Sequence, residues 1–173
     1  MESMFRDLKS DEIDCRVAQI KKTWLSLLLY KDARVDQNIL DETVGNMNWQ
    51  KHYSRENANC IISIWDSEKK QWIEKEDTGT ESFSEKEKGL ASDSFKRSGF
   101  AWGIGRELYT APKIFIPITD SKGEQNFEIE IDKDKIKTKT SFYVEAIQIE
   151  NKEITALAIK NNKNKRVFVW KRG

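Results

Sequence analysis

The apolar residues change their period once between positions 49 and 112, and that change limits the folds open to the chain. Residues 49–55 alternate aromatic or long side chains, such as Trp49 and Tyr53, with small polar ones. Residues 59–65 hold Cys60, Ile61, Ile62, Ile64 and Trp65, and residues 71–76 carry Trp72 and Ile73. Asp66-Ser67-Glu68-Lys69-Lys70 separates the last two runs and is too short for a crossover, so the pattern predicts an antiparallel meander. From 84 to 109 the spacing becomes helical. Ser84 with Glu87 forms a capping-box pattern. At about 100° per residue, Leu90, Ala91, Ser94, Phe95, Ser98, Ala101, Trp102, Gly105, Leu108 and Tyr109 fall on one arc. Pro112 closes the segment. Strands followed by a covering helix predict an α+β fold.

The flanking segments extend this picture. Ile13, Val17, Ile20, Trp24, Leu25 and Leu28 recur at three-and-four spacing, which predicts a helix over 11–29 at first. Leu27-Leu28-Leu29-Tyr30 reads equally as a strand, and pattern alone does not separate the two. Residues 33–44 predict a second helix, with Asp32 as N-cap, Val35, Ile39, Leu40 and Val44 as its apolar stripe, and Gly45-Asn46 as its stop. Arg34 then lies in the first turn, where a cation opposes the helix dipole unless an anion is near. After Pro112, short runs at 114–116, 127–131, 142–149, 154–159 and 167–170 alternate with polar turns and predict a second β layer. The expected division is a flexible N-terminus over 1–10, a core over 11–119, and a C-terminal β-rich extension over 120–173 packed on that core.

Composition removes several function classes. With 173 residues, 10% aromatic content and six tryptophans, the chain sustains a packed core although 34% of its residues are charged. Lys and Arg number 30 against 29 Asp and Glu, a net charge of +1. Binding to nucleic acid therefore requires charge segregated onto one surface. Two cysteines and one histidine do not make a Cys/His zinc site. Cys60 reads as a buried thiol and His52 as a surface side chain. No run approaches the roughly 18 apolar residues of a membrane span, and the charged first residues lack an apolar signal core, so no membrane association and a cytoplasmic location are expected. Gly103-Ile104-Gly105 lacks the strand and third glycine of a dinucleotide fingerprint, and no Gly-Lys-Ser or Gly-Lys-Thr ends a glycine-rich loop. Asp66, Glu74, Glu76, Asp77 and Glu81 offer carboxylates to a metal nuclease, but Glu74 and Glu76 alternate with Ile73 and read more simply as a solvated face. Serine hydrolase chemistry would rest on His52 alone. No cofactor, metal or catalytic residue is expected.

The informative stretch is Asp93-Ser94-Phe95-Lys96-Arg97-Ser98-Gly99-Phe100. Lys96 points away from the apolar arc, Arg97 lies at its edge, and Phe100 falls between them. Cations hold phosphates and an aromatic face stacks a base for about 1–3 kcal/mol, so this trio suits a single-strand site. The alternative is a solvated Lys-Arg pair with Phe100 covered by a neighbouring subunit. Gly99, Gly103 and Gly105 are costly in a helix and point to close backbone approach, a kink or an early end. Two further basic groups are Lys133, Lys135, Lys137 and Lys139, and the C-terminal run of Lys160, Lys163, Lys165, Arg166, Lys171 and Arg172.

Three ordered signals carry a resemblance. They are Tyr30-Lys31-Asp32-Ala33-Arg34-Val35 with Leu40-Asp41-Glu42-Thr43-Val44-Gly45 and Asn48-Trp49; the hairpin with Trp72 and Asp77-Thr78-Gly79; and Lys88-Gly89-Leu90-Ala91-Ser92-Asp93-Ser94-Phe95-Lys96-Arg97 running into Gly103-Ile104-Gly105-Arg106-Glu107-Leu108-Tyr109. In this order the chain resembles the Rad-fifty-two superfamily of single-strand annealing proteins, and most nearly its short phage-encoded Sak type. The likeness covers about residues 24 to 112, and more weakly 142 to 170. It implies a β-β-β-α core, ATP-independent binding of single-stranded DNA, annealing of complementary strands in recombination and repair, and assembly as a ring or helical filament. A single-strand DNA-binding protein is a candidate second partner, and the host cytoplasm the implied place of action. By position the resemblance assigns DNA contact to Arg34, Lys96 and Arg97, with Lys88 as a further basic position; Phe100 and Arg106 complete the expected DNA-binding set.

Overall fold

The computed structural model describes residues 3–80 and 86–173, the side chains of residues 86–88 excepted. Over the described residues it is α+β, with two α-helices and strands whose described pairings are all antiparallel. Among the described residues no helix is long and apolar enough to cross a membrane. The chain forms two compact units, each drawn from two stretches. One comprises Met1–Leu8 and Lys31–Arg106, the other Lys9–Tyr30 and Glu107–Gly173. The expected border between 119 and 120 is not where the chain divides.

The first unit opens with residues expected to be flexible. Phe5 and Leu8 are instead buried, and the Arg6 guanidinium grips Glu42 through two bonds of 3.0 and 2.8 Å. Two apolar residues in a charged stretch have no period to announce them. Helix α1 (Ala33–Val44) begins where the capping residue predicts, with Asp32 accepting the Arg34 amide at 2.8 Å, and ends as the Gly45 amide reaches Asp41 O at 3.0 Å. Strands β3 (Trp49–Ser54), β4 (Asn59–Asp66) and β5 (Gln71–Thr78) form the meander in the order β3-β4-β5. Alternation sends Cys60, Ile62 and Ile64 to one face, where they are buried together with Leu90 and Phe95 of helix α2 (Lys86–Trp102). Each such side chain stabilises the unit by roughly 1.5–3 kcal/mol. Glu74 and Glu76 alternate with half-buried Ile73 and stand exposed, as the solvated-face reading expects.

Helix α2 is shorter than its apolar arc. It stops at Trp102, Gly103 and Gly105 take positive φ of 98° and 69°, and a 3-10 turn (Arg106–Thr110) follows. Leu108 and Tyr109 therefore leave the helix. The capping box read at Ser84 and Glu87 lies outside the described residues.

The second unit corrects the helical reading of 11–29. Strands β1 (Asp14–Ile20) and β2 (Trp24–Tyr30) make a hairpin, with a register shift between Val17 and Gln19. That irregularity and the turn at 21–23 break the alternation, so the apolar residues fall by coincidence at helical spacing. The later strands are β6 (Ile114–Pro117), β7 (Glu130–Asp132), β8 (Lys135–Lys137), β9 (Phe142–Glu150), β10 (Glu153–Asn161) and β11 (Arg166–Lys171). Six of the unit's strands form one sheet in the order β11-β10-β9-β1-β2-β6, while β7 and β8 pair alone. Asn151 and Lys152, both at positive φ, make the two-residue turn joining β9 to β10. The core of this unit includes Leu25, Leu27, Ile114, Ile116, Val144, Ile154, Leu157 and Ile159.

Candidate nucleic-acid interface

The site grows from a lysine that meets no solvent. Lys31, just ahead of α1, and Asp36, one turn into it, both have side chains with 0% exposure. The Lys31 ammonium donates to Asp36 Oδ1 and to the Lys96 carbonyl at 3.3 Å, and stands 4.1 Å from the centroid of the Phe100 ring. Buried ions need such partners, because desolvation is not repaid by Coulomb attraction alone. Burial pushes the Asp36 carboxyl up to about 6, against the opposing pull of Lys31 and Lys96. Two glycines make room for the pair. A side chain at Gly99 would collide with Asp36 Oδ1, and one at Gly105 would stand 2.8 Å from the Lys31 stem. Of the three meanings open to these glycines, close backbone approach is seen at Gly99 and Gly105, and the early helix end at Gly103 and Gly105.

This hub ties the start of α1 to the middle of α2 and so fixes the cations around it. Arg34 is the most open, with 83% of its side chain exposed. Its Nε lies 3.0 Å from Asp32 Oδ1, so the anion that its place in the first turn requires is the N-cap itself. Arg97 donates from Nε to Asp93 Oδ2 at 2.9 Å and keeps 39% of its side chain exposed. The same Asp93 oxygen takes the Thr80 amide at 2.8 Å. Lys96 acts electrostatically on the carboxylates of both pairs. Hydrogen bonds from the Arg34 side chain and amide hold the Asp32 carboxyl below its ordinary range, and Lys96 adds to that pull. Burial opposes ionisation of Asp93, yet Thr80, Arg97 and Lys96 together hold it low as well. The structure thus brings Arg34, Lys96 and Arg97 into one neighbourhood.

Other expected residues stand differently. Phe100 is half-buried, and the Lys31 ammonium lies against its ring, so it is not the open stacking platform expected from spacing. Arg106 is exposed, but Nε and one terminal nitrogen donate to the Phe100 and Ala101 carbonyls at 2.9–3.1 Å, capping the end of α2. The side chain of Lys88 lies outside the described residues. The C-terminal basic run belongs to the second unit and is largely countered there. Arg166 and Lys160 meet Glu145, Lys163 meets Glu128, Lys165 meets Asp120, and Arg172 meets Glu153. Lys133 and Asp134 form the tip of the β7–β8 hairpin, a strand pair not read from the lysine cluster.

Sequence reasoning passed over Lys31, Asp36 and Asp93 as members of the site. The costly glycines were the available signal, since they imply something bulky against the helix. Among the described residues no three His, Cys, Asp or Glu side chains gather into a metal-holding group. No family model, no curated protein and no solved structure matches the chain.

Proposed function

We propose that the chain binds single-stranded DNA without ATP and anneals complementary strands, in homologous recombination and repair, acting as a ring or filament of several copies. The observation that carries this reading is the gathering of Arg34, Lys96 and Arg97 around the buried Lys31–Asp36 pair. A chain of net charge +1 needs such local segregation to hold phosphates. The motifs that resemble the Rad-fifty-two superfamily run through these same residues. In this mechanism the cations cancel phosphate repulsion along one strand and leave its bases open to pairing. Pairing and stacking then drive the reaction, so no nucleotide hydrolysis enters.

The test measures duplex formation between two complementary labelled oligonucleotides, without ATP and with EDTA. The expected outcome is acceleration over the spontaneous rate. Lys96→Ala with Arg97→Ala should abolish most of it and leave thermal stability unchanged. The double variant should also flatten the salt dependence of strand binding, by about 0.7 for each phosphate it no longer neutralises. Strand protection without acceleration would reduce the role to passive coating. Cleavage that appears with Mg²⁺ and stops with EDTA would indicate a nuclease.

A further inference from the structure

Arg34 and Arg97 each already hold an anion of the protein's own. Arg34 engages both oxygens of Asp32, at 3.0 and 3.4 Å, and Arg97 engages Asp93 at 2.9 Å. Both carboxylates lie within the field of Lys96. With Lys31 and Asp36 cancelling below, three cations face two carboxylates. A phosphate arriving here meets a surface with an excess of one positive charge, not three.

We infer that Asp32 and Asp93 are internal counter-ions that stand in the places of phosphates and that a bound strand must displace. This rests on the reading of the surface as a single-strand site, and it assigns the two aspartates the role of setting its affinity. The alternative is that they only orient the arginines. The two roles predict opposite signs. Orienting carboxylates make binding weaker when neutralised, whereas competing carboxylates make it stronger.

Asparagine separates the roles cleanly. It caps a helix as well as aspartate does, so Asp32→Asn keeps the bond to the Arg34 amide. Asp93→Asn keeps an acceptor for the Thr80 amide. Asp32→Ser supplies a second capping oxygen without charge and guards against a folding artefact. Binding of a fluorescent oligo(dT) to the full chain is measured at two salt concentrations, beside thermal melts. Each neutral variant should raise affinity by about two- to fivefold near 0.1 M salt, the range of a lost surface ion pair. The gain should shrink at high salt, where the carboxylates are screened. Wild-type binding that the variants weaken or leave unchanged, with melts preserved, overturns this inference alone. Absence of binding by the wild type and every variant overturns the proposed function and this inference together.

Discussion

A lysine and an aspartate without exposed surface put the first unit under an electrostatic load that its apolar core must outweigh. Replacing a buried ion pair by apolar groups of similar volume is often neutral or stabilising by about 1–4 kcal/mol, whereas removing one partner is costly. Lys31→Met with Asp36→Leu should therefore fold at least as stably as the wild type, while Lys31→Met alone should not. The pH dependence carries a definite sign. Burial raises the folded-state Asp36 carboxyl to about 6 from an ordinary 3.8. Its stabilising contribution is thus complete below about 3.8 and lost as pH rises through about 6. Melting temperatures of the wild type should fall across that window relative to the double variant. Parallel profiles would remove Asp36 from the account.

At the scale of elements, α2 is joined to the meander by polar bonds as well as apolar packing. The Ile62 amide donates to Ser98 Oγ at 3.2 Å, and that hydroxyl donates to the Lys75 carbonyl at 2.8 Å, so one side chain bridges β4 and β5. Trp102 Nε1 donates to the Ile62 carbonyl at 2.9 Å. Lys75 and Arg106 then place cations on the last carbonyls of α2, where the helix dipole favours them. Ser98→Ala would leave the Ile62 amide buried without its acceptor. The expected loss is about 1–3 kcal/mol, read from urea denaturation, whereas Ser92→Ala on the same helix should cost little. Equal changes in the two variants would mean that the Ser98 bonds add nothing to stability.

At the scale of the molecule, the chain lays down β1 and β2, builds the first unit, and then returns to complete the sheet from β6 onward. A fragment of residues 1–119 keeps β1, β2 and β6 but loses β9, the neighbour of β1, together with β10 and β11. It should expose Leu25, Leu27, Ile114 and Ile116 and bind a hydrophobic dye strongly. A fragment that melts cooperatively without such binding would show that the later strands are dispensable. Much of the secondary structure was legible in the residues themselves, because caps, turns and alternation are local. Asp32 and Gly45 bound α1, the polar stretches at 66–70 and 150–153 turn the hairpins, and Pro112 follows the end of the helical region. The β1–β2 hairpin was not legible, because a register shift hides alternation. Nor was the early end of α2, which the hydrophobic arc runs past. For the candidate interface, sequence determined the cations: Arg34, Lys96 and Arg97 are chemically evident wherever they fall. Only the tertiary structure decided their counter-ions. Lys31 meets Lys96 and Phe100 far along the chain, and ion pairing and desolvation depend on distances in space that spacing in sequence does not encode.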